Sequence, residues 1–234
     1  MRLKGRRVLI AGTSTGLGYA VAYFSINEGA EVVLNARSEK KLVEIVKSLG
    51  DKASYVVGDV STPQGARDVV SRAGNITDLV ITVGGYLEDT VESPSGLDEM
   101  LKNHIKTPLY LVNASLEKLH EGSTIVMVSS TRALYTALPN QLSYAIAKSG
   151  LTKAVEILAS ELLNKGIRVV GVAPSFIMGD FVPGRDWRKM RKLGDAGAPP
   201  EDFAQVITWL LSNEAQWVNG VVIPVDGGAR LKWV

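Results

Sequence analysis

Tyr144 and Lys148 stand four residues apart in Gln141-Leu142-Ser143-Tyr144-Ala145-Ile146-Ala147-Lys148, a stretch that reads as a helix from about Gln141 onward. That interval places a phenol and an ammonium on one helical face, close enough to interact. A free tyrosine has a pKa of about 10, too high to exchange protons readily near neutrality. A fixed positive charge beside it favours the phenolate, so the pair suits transfer of a proton to or from a substrate oxygen. Spacing alone decides little, because an exposed tyrosine and a solvated lysine recur at this interval on many helices. Just upstream, Thr124-Ile125-Val126-Met127-Val128 reads as a buried strand that delivers Ser129, Ser130 and Thr131 to its carboxyl end. Ligands gather at that edge in open α/β sheets.

A second chemical stretch is Gly12-Thr13-Ser14-Thr15-Gly16-Leu17-Gly18, between a short apolar strand, Arg7 to Ala11, and an amphipathic helix that runs to Gly29. Glycines let backbone turn tightly against a pyrophosphate while the first helical amides point at its oxygens. Gly12, Ser14, Thr15, Gly16, Leu17 and Gly18 are therefore candidate cofactor contacts, against the alternative of a glycine turn with no ligand. The next strand, Glu31 to Leu34, ends at Asn35-Ala36-Arg37-Ser38, with no Asp or Glu at positions 34 to 38. A carboxylate there would bond the ribose of NAD, whereas an arginine suits a 2′-phosphate. Arg37 thus points to NADP(H) as the preferred cofactor, with NAD(H) possible, and Asn35 beside it is a further candidate cofactor contact; the alternative for Arg37 is a solvated residue at the sheet edge.

A third strand, Ala53 to Val57, leads to Gly58-Asp59-Val60, where Asp59 either borders the adenine site or caps the helix that follows through Ser61 and Thr62. Asp78 to Val83 reads as a buried strand running into Gly84 and Gly85, bare backbone on which a ribose and nicotinamide can lie. A long helical pattern from about Pro94 to Leu119 contains Asn103, which either bonds its own helix or holds a water relaying protons to Lys148. The neighbouring His104 is expected at a surface or helix contact. After the strand Ile167 to Ala173, residues 178–200 are rich in Gly and Pro around Arg185, Arg188, Lys189, Arg191 and Lys192. This segment predicts a mobile lid over a substrate site, or a solvated basic turn.

Strands alternate with helices along the whole chain, which predicts an α/β class with a parallel sheet. The 234 residues carry no linker, repeat or charge block and read as one domain, 1–234. No run reaches the roughly 18 apolar residues of a membrane span, and the basic N-terminus lacks a signal-peptide core, so a cytoplasmic location is expected. The chain has no cysteine and only two histidines, which argues against disulfides and a metal site. A net charge of +2 gives no warrant for nucleic acid or membrane as partner.

Taken together, these residues resemble the short-chain dehydrogenase/reductase family over nearly the full length of the chain. The likeness rests on Gly12-x3-Gly16-x-Gly18, Asp59-Val60, Asn103, Ser130, Tyr144-x3-Lys148, Pro174 with Phe176-Ile177, and Val225-Asp226-Gly227-Gly228. The resemblance implies a doubly wound Rossmann fold with a seven-stranded parallel sheet, a nicotinamide cofactor and a homotetramer. It gives Tyr144 the proton, Ser130 the orientation of the substrate oxygen, Lys148 the nicotinamide ribose and a lowered tyrosine pKa, and Asn103 a relay water. Val60, Gly84, Pro174 and Ile177 join the cofactor contacts. Ser130 lies fourteen residues before Tyr144, one more than the family's usual spacing, so either Ser130 or Thr131 could supply the hydroxyl, and Ser130 is preferred. The likeness is greatest to 3-oxoacyl-thioester reductases, where a basic lid could meet an acidic carrier, and then to sugar or alcohol dehydrogenases. A nucleotide-binding regulator without chemistry is the reading from another class.

Overall fold

A computed structural model describes residues 1–232. Among the described residues nine strands form in chain order: β1 (Arg7–Ala11), β2 (Glu31–Ala36), β3 (Ala53–Val57), β4 (Asp78–Ile81), β5 (Thr124–Val128), β6 (Arg168–Pro174), β7 (Phe176–Ile177), β8 (Gly197–Ala198) and β9 (Val222–Val225). Seven of them make one parallel sheet in the order β3-β2-β1-β4-β5-β6-β9, and β7 pairs with β8 separately. The central strands are near-continuous apolar runs because helices cover both sheet faces. Alternate side chains divide between two cores, Val8 and Ile10 facing one way and Leu9 and Ala11 the other. Helices α1 (Leu17–Asn27), α2 (Glu39–Leu49) and α7 (Pro200–Leu210) cover the first core; α3 (Pro63–Arg72), α5 (Thr107–Ser115) and α6 (Leu142–Glu161) cover the second. This is the doubly wound fold expected. Chain order reverses between β1 and β4, and a crevice opens at that point above the carboxyl ends of the strands.

The long helix expected between Pro94 and Leu119 is broken. A short α4 (Leu97–Leu101) passes into a π-helical turn, Lys102–Lys106, before α5 begins. Pro108 explains the break: it has no N–H to give the carbonyl of His104 four residues earlier, and the ladder shifts so that Thr107 N–H bonds the Lys102 carbonyl instead.

Helix α6 takes its position from a distant carboxylate. Asp89, in the segment after β4, accepts from Ser143 N–H (2.9 Å), from the Ser143 hydroxyl and from Gly96 N–H (3.0 Å), and these bonds hold its carboxyl below the usual range. The anion thus sits on the orphan amides of the helix start.

The basic segment 178–200 is strapped down. The β7–β8 pair closes its base, Phe181 packs against Tyr19 and Tyr23 of α1 at 4.8 and 5.1 Å, and Phe181 N–H bonds the Thr15 carbonyl at 2.9 Å. Arg185 forks onto Glu201 at 2.6 and 2.7 Å, Arg191 onto Asp202, and Lys189 pairs with Asp186 at 2.7 Å. Glu201 and Asp202 occupy the first turn of α7, where negative charge complements the helix dipole. Two of the five basic residues expected to greet an acidic partner, Arg185 and Arg191, are therefore neutralised by α7. Glu201 is 1% exposed, so removing its partner strands a buried charge. Arg185→Ala should lower unfolding stability by roughly 3 kcal/mol in urea titration, while the double variant Arg185→Met, Glu201→Gln should recover most of it; equal losses in the two would show that packing, not charge, matters here.

Candidate active site

A cavity of about 960 Å³ fills the crevice. Its walls are the glycine turn after β1, residues 82–86 after β4, Ser129 to Arg132 after β5, Tyr144 and Lys148 on α6, and Pro174 to Ile177. The three glycines of the turn have different reasons to lack a side chain. Gly12 has φ +87° and a Cβ there would stand 2.5 Å from Val83 N; one on Gly18 would stand 2.8 Å from Thr13 Cα. These two let β1, β4 and α1 approach one another. At Gly16 an added Cβ would come no nearer than 3.4 Å to another atom, Gly179 O, so that glycine keeps backbone open toward the cavity. No side chain caps α1. Bare backbone and an uncapped helix start are what a dinucleotide's pyrophosphate requires, so the residues present fit such a cofactor. Ser14, Thr15, Leu17, Gly84, Pro174 and Ile177 also line the cavity. Thr15 donates its hydroxyl to Asp180 at 2.6 Å and so anchors the strap as well.

Asn35 falls elsewhere. It is buried, its amide donates to the carbonyls of Val56 (3.0 Å) and Gly58 (3.2 Å), and its own carbonyl receives Gly12 N–H and Thr13 N–H. It shapes the turn from beneath and does not reach the cavity, because the gap between the ends of β2 and β3 leaves backbone carbonyls that need donors. Arg37 is exposed at the end of β2. Asp59 accepts Ser61 N–H at 2.9 Å, which is the main cause of its lowered pKa, and the charges of Arg37 and Lys102 add to it. The cap of α3 is Thr62, which accepts from Gly65 N–H, leaving Asp59 three residues before the cap of the helix that it was one candidate to cap. Val60 is buried in the second core.

Tyr144 and Lys148 share a face, with the ammonium nitrogen 5.9 Å from the phenol ring centroid. Lys148 is buried and donates to the Val128 carbonyl at 2.7 Å, and burial lowers its pKa to about 7. Burial also raises the Tyr144 pKa, an effect offset in part by the Ser130 hydroxyl and by the charge of Arg132. In the chain itself, then, it is Ser130 and Arg132 that pull the phenol down, since Lys148 has lost much of its preference for the charged state. Ser130 Oγ accepts Arg132 N–H at 3.2 Å and caps the 3₁₀ turn Thr131–Ala133. Ser129 bonds Thr152 (2.8 Å) and is occupied with α6. Thr131 lines the cavity too, but Ser130 is the hydroxyl that acts on the phenol.

Asn103 does not line the cavity; the adjacent His104 does. The π turn carries Asn103 beside the Cα of Gly85 and brings His104 edge-on to Tyr144, with ring centroids 5.5 Å apart. His104 is 1% exposed and its Nε2 lies 3.0 Å from the Gly85 carbonyl. A carbonyl only accepts, so Nε2 bears the proton and Nδ1 is a bare acceptor. That Nδ1 is buried without a partner among the described residues. Burial first, then the charge of Lys148, lowers the His104 pKa to about 3 and keeps the ring neutral. Pro108, four residues on, was the signal in the sequence that the helix must slip here.

Comparisons with known proteins agree with this geometry. A family model described as Enoyl-(Acyl carrier protein) reductase matches residues 11–230. The short-chain dehydrogenase/reductase GME11373 of Pestalotiopsis microspora is 30% identical, over 97% of this chain and 96% of its own. A 3-oxoacyl-[acyl-carrier-protein] reductase, FabG, of Rickettsia prowazekii is 27% identical, over 97% of each chain. Among solved structures, BdcA in complex with NADPH superposes with a TM-score of 0.85 at 24% identity, over 97% of this chain and 95% of that one. A crevice at the switch point, open helical amides on one wall and a Ser–Tyr–Lys group on the other belong together with those matches: the chain is a member of the short-chain dehydrogenase/reductase family of oxidoreductases.

Proposed function

We propose that this protein is an NADP(H)-dependent reductase of ketones, working reversibly on the secondary alcohol, with 3-oxoacyl compounds as its nearest substrate class. The observation that carries the reading is the convergence of Ser130, Tyr144 and Lys148 on one wall of a cavity whose opposite wall is the glycine turn. The FabG relative supports the substrate class, and the NADPH held by BdcA supports the cofactor. A nicotinamide dinucleotide held at the glycine turn would supply hydride chemistry at this wall. The chain's own residues do the rest. The Tyr144 phenol gives its proton to the substrate oxygen, the Ser130 hydroxyl orients that oxygen, and Lys148, titrating near neutrality, returns a proton to the phenol. His104 replaces Asn103 as the holder of a relay water, through the unpartnered Nδ1. Arg37, next to the ribose end of β2, receives the 2′-phosphate. A homotetramer and a cytoplasmic location belong to the same proposal; Leu109, Ile146 and Ile157 on α5 and α6 are exposed apolar side chains that an assembly would cover.

Three outcomes follow from these roles. Tyr144→Phe should lower turnover by about 10²- to 10⁴-fold while NADPH binding, read by fluorescence, is kept; unchanged turnover refutes the assignment. NADPH should bind more tightly than NADH, and Arg37→Ala should remove about tenfold of that preference; tighter NADH binding in the natural chain overturns the role of Arg37. His104→Leu, which has no acceptor, should reduce kcat about tenfold or more and displace its pH profile at constant NADPH affinity, whereas His104→Gln should restore most of both. If Leu and Gln behave alike, the imidazole is only packing.

A further inference from the structure

Arg132 stands two residues beyond Ser130, partly buried in the wall of the cavity. The other cations of that wall have partners. Arg230 binds Asp226 through Nη1 at 3.0 and 3.1 Å and stacks 4.8 Å over Tyr135, and Lys148 donates to the Val128 carbonyl. The acids of the cavity are engaged elsewhere as well: Glu88 receives the Tyr86 hydroxyl at 3.2 Å, Asp180 receives Thr15, and Asp226 holds Arg230. Among the described residues no carboxylate lies within ion-pairing distance of the Arg132 guanidinium, although its charge is felt by the Tyr144 phenol. A partly buried guanidinium facing a cavity with no counter-charge is poised for an anionic ligand.

Position sharpens the inference. The Arg132 N–H is bonded to Ser130 Oγ at 3.2 Å, so the hydroxyl that orients the reacting oxygen and the guanidinium spring from one short 3₁₀ turn. An anion held by the one lies a few bonds from the carbon addressed by the other. Guanidinium presents a planar fork, which matches a carboxylate in two parallel hydrogen bonds. We propose that Arg132 is the carboxylate-binding residue of this cavity and that the preferred substrates are oxo acids and their hydroxy acids with a free carboxylate close to the reacting carbon. This rests on the reductase reading above and narrows it: the acid itself, rather than its ester or thioester, is the substrate. On the strap, Arg185 and Arg191 are already paired with Glu201 and Asp202, and Arg188 and Lys192 do not line this cavity.

The test measures NADP⁺ reduction with short 3-hydroxy acids, their methyl esters and their coenzyme A thioesters. The acid should exceed its methyl ester in kcat/KM by about 10- to 100-fold, the worth of one charge-assisted pair. Arg132→Gln should bring that ratio close to one by raising KM for the acid while NADPH binding is kept; the lost pull on the Tyr144 phenol should change kcat for acid and ester by the same factor and so leave the ratio to report the carboxylate contact. Arg132→Lys, which keeps the charge without the fork, should retain part of the preference. Equal rates for acid and ester in the natural chain overturn the proposal, and so does a preference for the phosphate-bearing thioester. Neither result touches the reductase reading, which fails separately if no hydroxy acid, ester or thioester reduces NADP⁺ at all.

Discussion

The carboxylate of Asp89 is the contact on which the site depends. It belongs to the same segment as Gly84, Gly85 and Tyr86, which line the cavity after β4, yet it caps the helix that carries Tyr144 and Lys148. The two halves of the crevice are built from stretches more than fifty residues apart, and one anion at the start of α6 fixes their separation. Ser143, whose amide and hydroxyl both reach Asp89, directly precedes Tyr144, so the phenol inherits its position from that cap. Tyr86 then meets Tyr144 edge-on at 5.2 Å, adding an aromatic contact between the same two segments.

Burial sets the electrostatics of that crevice more than pairing does. Lys148, His104 and Tyr144 are all moved toward their neutral forms, with desolvation the largest cause in each. A lysine near pKa 7 can give and take a proton close to neutrality, and a histidine near 3 cannot be charged there at all. Their character separates accordingly: Lys148 is suited to exchange protons near neutrality, and His104 is a fixed neutral dipole with one free lone pair. Ser130 and Arg132 supply the pull on the phenol that spacing along the helix had suggested for Lys148 alone.

Much of this was legible in the sequence, for identifiable reasons. Buried parallel strands read as apolar runs, and the glycine turn and the Tyr144/Lys148 pair depend on near neighbours along the chain, so their geometry follows from local rules. What escaped depends on partners far away. Asn35 looked like a cofactor contact because it ends β2, but the carbonyls of Val56 and Gly58 needed its amide. Asn103 was given the relay role by the family resemblance; the missing N–H of Pro108 slips the register there, and it is the adjacent His104 that lines the cavity. The basic residues of 178–200 looked available, but Arg185 and Arg191 answer acids on α7.

That last pairing bears on where selectivity resides. A strap whose arginines were free would attract any anion from solution and would act at long range, in a way that salt screens. With Arg185 and Arg191 held by Glu201 and Asp202, the strap serves as a scaffold that keeps Gly179 and Asp180 beside the glycine turn through Phe181 and Thr15. Discrimination then passes to the few polar groups inside the cavity, where distances are short and each unmatched group carries a larger penalty. Arg132 and Ser130 share one rigid turn there, and a selectivity built on such a turn reads the distance between two groups of the substrate instead of its net charge.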